Sequence, residues 1–271
     1  MIVFTDLDGT LLDGTSYSFD AAREAMAELR AHEIPLVLVS SKTRAEIEPI
    51  RLQLQNDHPF IVENGGGIFI PKGYFDGPVE GATVRGEYEV VELGIPYARL
   101  RASLKEIQHA LGIPLRGLGD MTELEIAQRT GLSKAEAVLA KQREYDEPFI
   151  IDGPLFQIED VRRESAEHGL RCTSGGLFHH LTGEHDKGQA CRLLIDCYRH
   201  RSTAMGERVI TVAVGDSAND LSMLLAVDRP ILVQKPNGSY DPEVRVPNII
   251  LAPSTGPVGW NKAVLEILAG L

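Results

Sequence analysis

The first third of the 271-residue chain alternates uninterrupted apolar runs with stretches whose apolar positions recur at helical spacing. "MIVFTDLD" reads as a buried strand, and "SFDAAREAMAELRAHE" as an amphipathic helix with Ser18 or Asp20 as candidate N-caps. "IPLVLVSS" is continuously apolar, as a parallel strand covered on both faces must be. "KTRAEIEPIRLQLQ" predicts a second helix and "PFIVEN" a third strand, followed by "GGGIFIPKGYF", a glycine-broken β segment. Strand–helix–strand–helix–strand predicts a doubly wound parallel sheet with right-handed crossovers.

The last third repeats that grammar. "DKGQACRLLIDCYRHR" predicts a helix, "RVITVAVGD" a buried strand ending in an acid, "ANDLSMLLAV" a short helix, "PILVQ" and "NIILA" strands, and "GWNKAVLEILAGL" a closing helix. The middle differs. "EYEVVEL" and "EPFIID" read as strands, and "IPYARLRASLKEIQHAL", "SKAEAVLAKQREY" and "EDVRRESAEHG" as helices. "RCTSGGLFHHLTG" reads as paired strands around a glycine turn. The expected organisation is a core made of residues 1–83 and 186–271, with an α/β insert over residues 84–185, the size of a small domain.

Net charge is −12, which argues against nucleic acid and anionic membranes as partners by bulk electrostatics. An anionic substrate therefore needs local positive charge. Three cysteines, Cys172, Cys191 and Cys197, form no CxxC pair, and their odd number argues against a disulfide framework. No His/Cys spacing suggests zinc. No uncharged apolar run reaches the ~20 residues that span a bilayer, and no signal peptide is evident, so a cytoplasmic protein is expected.

In open α/β sheets, ligands bind beyond the carboxyl ends of the strands. The first strand ends in Asp6 and Asp8, the second in Ser40 and Ser41, and "RVITVAVGD" in Asp216. If these strands are neighbours, the groups converge, and Lys187 starts the helix that leads to the same edge. Three carboxylates brought together repel unless something neutralises them. Carboxylate oxygens plus water suit Mg²⁺, which commonly also holds substrate phosphate. With a hydroxyl and an ammonium, the set fits phosphoryl transfer, where catalysis is mainly positioning and charge stabilisation. One of the two paired aspartates can attack phosphorus while the other serves as acid and then base. Gly9 allows the tight turn behind the strand.

"DLDGT", "VLVSS", Lys187 and "GDSAND", in that order, resemble the four motifs of the haloacid dehalogenase superfamily of phosphatases. That resemblance implies a Rossmann-like core with Asp6 as nucleophile and metal ligand, and Asp8 as acid/base with its backbone carbonyl on Mg²⁺. It further implies that Ser40 and Lys187 hold the phosphoryl group, that Asp216 binds Mg²⁺, that Asp220 supports the metal shell, and that Asn219 contacts the phosphate. Only about thirty residues separate Asp8 from Ser40, too few for a helix and a cap together, so the insert lies after the second motif. This placement resembles the subgroup with an α/β (C2-type) cap, which includes sugar-phosphate phosphatases and phosphomannomutases.

A narrower similarity, to the mannosyl-3-phosphoglycerate phosphatase family, rests on "SSKTRAEIE", "FIVENGGGIFIPKGYF", "REYDEPF", "GGLFHHLTGEHDKG" and "GDSANDLSML". It implies a phosphorylated sugar-glycerate substrate; a monomer or homodimer is expected. Leu177 departs from it, since an arginine is common at that place. The choice between mannosyl and glucosyl substrates therefore stays open, as does a phosphosugar mutase. A phosphometabolite sensor is disfavoured, because binding alone does not require an acid/base beside a nucleophile. Lys42 and Arg44 begin a predicted helix, where cations oppose the macrodipole, so they are assigned to an anion such as the glycerate carboxylate. Ser41, Asn64 and Gly65 are assigned to the substrate side of the strand ends. Ser174, Gly175 and Gly176 are read as a polar loop over the sugar. His179 and His180 face opposite sides of a strand; one is structural and the other, His179, is assigned to substrate.

Overall fold

Strand β1 (Ile2–Thr5) is apolar up to its last residue and fully buried. The computed structural model describes residues 1–152, 157–175, 177–203 and 209–270. After β1 come α1 (Arg23–Ala31), β2 (Leu36–Val39), α2 (Arg44–Leu54), β3 (Phe60–Val62), β4 (Gly67–Pro71), β5 (Thr83–Arg85) and β6 (Tyr88–Glu92). The middle holds α3 (Tyr97–Leu111), β7 (Leu115–Gly117), α4 (Glu123–Thr130), α5 (Lys134–Ala140), β8 (Asp146–Ile151), α6 (Ile158–Glu167), β9 (Arg171–Gly175) and β10 (Phe178–Thr182). The chain continues through α7 (Lys187–Thr203), β11 (Thr211–Gly215), α8 (Leu221–Leu224), β12 (Arg229–Gln234), β13 (Ile250–Thr255) and α9 (Gly256–Ala269).

These elements form two compact units. The first comprises residues 1–40, 56–91 and 186–271, and the second residues 41–55 and 92–185. The first is built on a nine-stranded sheet in the order β13-β12-β11-β1-β2-β3-β4-β6-β5. From β13 to β3 neighbouring strands are parallel. The sheet is mixed rather than wholly parallel, because β4 returns antiparallel to β3 through the tight Glu63–Gly66 turn. β5 and β6 extend its edge, so residues 83–91, most of which the sequence had placed in the insert, group with this sheet. β1 lies between β11 and β2, which puts the C-terminal ends of those three strands side by side.

The second unit contains a four-stranded sheet in the order β7-β8-β10-β9. Phe149 and Leu181 face a core shared with Leu100, Leu104 and Ile107 of α3 and Val161 of α6. On the opposite face, Ile150 and Phe178 pack against Leu118, Met121, Ile126 and Ala137. α2 also belongs to this unit. Its N-terminus is closed by a capping box in which Thr43 Oγ1 accepts the Glu46 amide and Glu46 Oε2 accepts the Thr43 amide. Thr43 Oγ1 also donates to the Leu139 carbonyl, at 3.0 Å. The sequence pattern pointed to Ser18 or Asp20 as the cap of the first helix. Neither caps it: a 3₁₀ turn, Asp20–Ala22, leads straight into α1, whose N-cap is Ala22 with no side-chain bond, and Ser18 Oγ only accepts the Asp20 amide ahead of that turn.

Candidate active site

The site in the first unit starts from backbone. β1 ends at Thr5, and the Asp6 amide donates to Val214 of the neighbouring β11. Thr5 Oγ1 donates to the Asp6 carbonyl, and the fully buried Trp260 of α9 donates through Nε1 to Thr5 Oγ1 at 3.0 Å. The strand end is therefore fixed from below by a residue near the other end of the chain. Behind it, Gly9 sits at φ +76°, and a Cβ there would lie 3.1 Å from Asp216 Oδ2. Glycine meets both requirements at once.

Lys187 opens α7, and the Gln189 amide is accepted by Asp186 Oδ1 just before it. The Lys187 ammonium is buried and donates to Asp6 Oδ1 at 2.6 Å and to Asp220 Oδ1 at 2.7 Å. Burial alone would depress its pKa. The two carboxylates outweigh that and raise it, so Lys187 stays charged. Asp220 is fully engaged, because its Oδ2 accepts the amides of Asp216 and Ser217. This fixes the loop after β11 and leaves Asp220 as a brace for the site.

Asp6, Asp216 and Asp220 each offer an oxygen within 4.8 Å of the others, the grouping a metal ion needs. One ammonium serves three acids. Burial, with the Asp220 and Asp216 charges adding to it and Lys187 opposing, pushes Asp6 up to about 8. Burial and then Asp220 push Asp216 up to about 6. The set is short of positive charge. Among the described residues, the oxygens left without a hydrogen bond are Asp6 Oδ2 and Asp216 Oδ2. Asp216 Oδ1 is reached by Ser217 Oγ at 3.2 Å and by Thr10 Oγ1 at 3.5 Å. An all-oxygen donor set with a charge deficit fits a hard divalent cation. The Asp8 carboxylate, on the half-buried turn after β1, is not in this group.

Ser40 follows β2 and is buried; its amide donates to Ile61 and its carbonyl accepts the Asn64 amide at 2.9 Å. Asn64 lies in the left-handed region at φ 56°, with Oδ1 buried and without a partner among the described residues. Gly65, expected on the substrate side, has a nearer reason for its identity. At φ +101°, a Cβ there would stand 2.2 Å from the Asp186 carbonyl, so the turn rests against the start of α7. Asn219 is exposed and accepts the Ser217 hydroxyl.

The remaining expected residues lie in the second unit. The Ser41 carbonyl accepts Arg143 Nη1 at 2.9 Å. Lys42 is half-buried. Arg44 reaches Glu48 and Glu144, each at 3.0 Å, and these acids account for a cation at the start of α2. His179 lies on the sheet face that carries Phe149, with ring centroids 5.5 Å apart. Its Nδ1 meets Ser174 Oγ, to which Arg162 of α6 also donates. His179 and Ser174 thus satisfy each other on the helix-covered side. Gly175 ends β9, and Gly176 lies outside the described residues. Sequence reasoning missed Thr5, Thr10, Ser217 and Trp260. Thr10 and Ser217 carried a signal, their positions inside "DLDGT" and "GDSAND".

A family model for haloacid dehalogenase-like hydrolases matches residues 3–75. The glucosyl-3-phosphoglycerate/mannosyl-3-phosphoglycerate phosphatase of Methanococcoides burtonii is 45% identical, over 98% of this chain and 97% of its own length. The mannosyl-3-phosphoglycerate phosphatase of Pyrococcus horikoshii is 39% identical, over 86% of this chain and 90% of its own. A protein of Bacteroides thetaiotaomicron, from a structural study of phosphatases of the haloalkanoate (HAD) superfamily, superposes with TM-score 0.70 at 16% identity. It covers 100% of this chain and 95% of its own, a likeness of fold alone. With 45% identity along almost the whole of both proteins, and with Asp6, Lys187, Asp216 and Asp220 gathered at one sheet edge, the chain belongs to the haloacid dehalogenase-like hydrolases.

Proposed function

We propose that the protein is a Mg²⁺-dependent phosphomonoesterase that hydrolyses mannosyl-3-phosphoglycerate and glucosyl-3-phosphoglycerate to the hexosylglycerate and phosphate. The observation that carries this reading is the buried Lys187, bridging Asp6 and Asp220 beside Asp216, in a chain 45% identical to a phosphatase named for both substrates. Asp6 attacks phosphorus, the bond from phosphorus to the ester oxygen breaks, and Asp8 protonates that oxygen. Asp8 then takes a proton from water, the water oxygen attacks phosphorus, and the aspartyl-phosphate bond breaks to return Asp6 and release phosphate. Lys187 and Ser40 hold phosphoryl oxygens. Asn64 Oδ1 and Asn219 are further polar groups on the same sheet edge. The insert is assigned the part of a cap that excludes water and sets specificity.

Asp6 and Asp216 would hold the metal, with Asp220 in support and the Asp8 backbone carbonyl completing the protein donors. When bound, Mg²⁺ supplies positive charge between an anionic nucleophile and a dianionic phosphoryl group, whose repulsion is poorly screened in a desolvated site.

Phosphate release over a panel of mannosyl- and glucosyl-3-phosphoglycerate, 3-phosphoglycerate, hexose phosphates and p-nitrophenyl phosphate tests the reading. Both hexosyl esters should lead, and chelation should abolish turnover until Mg²⁺ is restored. Ca²⁺, with more ligands at longer distances, should bind without supporting turnover. Transfer of phosphate to a second sugar position without release would instead identify a mutase. Full activity after chelation would exclude the metal.

The acid/base assignment has its own test. Asp8→Asn should slow phosphoryl transfer from the sugar-glycerate ester by about 10²–10⁴-fold, the usual contribution of a general acid. An aryl phosphate, whose leaving group needs no proton, should lose much less in a pre-steady-state measurement of that step. Equal losses on both esters would rule the assignment out.

A further inference from the structure

The peptide that joins Asp6 to Leu7 sets the path of the chain from the nucleophile to Asp8. Its carbonyl, that of Asp6, accepts Thr5 Oγ1 at 2.8 Å, and Thr5 Oγ1 in turn accepts Trp260 Nε1 at 3.0 Å. Thr5 and Trp260 are both 0% exposed, and all three residues lie in the first unit. The Asp6 amide is tied to Val214 at 3.0 Å and its Oδ1 to Lys187 at 2.6 Å. The peptides on both sides of Asp6 and one of its carboxylate oxygens are thus held by the protein itself.

The direction of each bond in this chain is forced. An indole N–H only donates, a carbonyl only accepts, and a hydroxyl has a single proton to give. With Trp260 Nε1 donating to Thr5 Oγ1, the hydroxyl proton goes to the Asp6 carbonyl, and bonds in series in a water-free interior strengthen one another. The indole is held in turn. A Cβ on the preceding Gly259 would stand 2.1 Å from the Ser254 carbonyl, so the first turn of α9 is seated directly on the end of β13. Packing alone asks for none of this. A valine at position 5 would fill nearly the same space and lengthen the apolar run of β1, and a phenylalanine at position 260 would cover much of the same surface.

We propose that Thr5 and Trp260 are positioning residues for the reaction: the indole aims the Thr5 hydroxyl, which holds the Asp6–Leu7 peptide so that the Asp6 carboxylate meets phosphorus in line. This rests on the reading of Asp6 as the nucleophile of a phosphomonoesterase.

Three substitutions separate positioning from stability. Thr5→Val leaves the Asp6 carbonyl and the indole N–H unpaired, and Thr5→Ser leaves a small cavity where the methyl was, so both should unfold at a lower temperature than the wild type. Only Thr5→Val should lose turnover. Its kcat for mannosyl-3-phosphoglycerate in saturating Mg²⁺ should fall about 10-fold, less than the ~10²-fold that a misplacement of about 1 Å costs. Its KM should stay within about twofold, the sign of a contribution realised in the transition state and not in binding. Thr5→Ser, which keeps the hydroxyl, should recover most of that loss. Trp260→Phe should lower kcat about threefold by itself, as a weakened hydrogen bond does. In the Thr5→Val background it should lower kcat no further, because no hydroxyl is left to aim. Circular dichroism at the assay temperature checks that each variant is folded. Equal kcat for Thr5→Val and Thr5→Ser, wild-type kcat for Trp260→Phe, or a Trp260→Phe loss that persists in full in the Thr5→Val background would overturn the positioning role. Undiminished turnover in Asp6→Asn would instead overturn the reading of the nucleophile.

Discussion

Asp6→Asn should reduce phosphate release by about 10⁴-fold or more, the scale on which removal of a covalent nucleophile acts. The amide is close in shape, so the backbone bond from Asp6 to Val214 and the Thr5–Trp260 support persist. Lys187 keeps Asp220 as a partner. What changes is charge. The substitution removes a carboxylate that burial and the Asp220 and Asp216 charges already hold at about 8. The folded protein should thus be as stable as the wild type or more so in the absence of metal, the exchange of stability for activity that strained active sites show. Phosphate release and urea unfolding in chelator, measured on the same preparation, check both halves. Wild-type turnover in a folded Asp6→Asn variant would exclude the covalent mechanism.

Lys187→Met should be the most damaging single change to stability at the site. The ammonium and both carboxylates are almost wholly buried. Removing one partner from a buried ionic group costs about 3–5 kcal/mol, because the charges left behind have no solvent to turn to. Here two acids, with Asp216 beside them, lose their only cation among the described residues. The loss should be largest in chelator. Mg²⁺, which binds the folded site and not the unfolded chain, should restore part of it, and the rise in Tm with added metal should exceed that of the wild type. Turnover should stay low even in saturating Mg²⁺, because a phosphoryl oxygen loses its ammonium. A Tm for Lys187→Met that matches the wild type in chelator would show that the ion pairs are not structural.

Much of the core was legible because both of its faces are covered. "IVFT", "LVLV" and "TVAV" are runs that are apolar but for a terminal threonine, and the acid or serine that follows each marks the carboxyl end of its strand. Their side-by-side order was only a condition of that reading, and it is the strand pairing that meets it. The insert was less legible. β7 is three residues long, and α4 begins among acids that look like a solvated face. The grouping of α2 with the second unit depends on contacts to α5 and the Arg44–Glu144 pair, which no local pattern signals. Strand parity shows that His179 and His180 face apart; only the register with β8 shows which of them meets Asp146. Trp260 looked like one more apolar residue of the last helix, and its link to Thr5 spans almost the whole chain.

That link, together with the pairing of Ile2 against Thr211, bears on the order in which the protein can assemble during synthesis. β1, which leads to Asp6, leaves the ribosome well before β11 does. Its β11 neighbour emerges only after the whole insert, and the indole that anchors its last residue emerges about fifty residues later still. The insert closes its own sheet between residues 115 and 182, from contacts far nearer along the chain. Since local contacts form sooner than distant ones, the nascent chain holds β1 with its β11 edge unpaired throughout the synthesis of the insert.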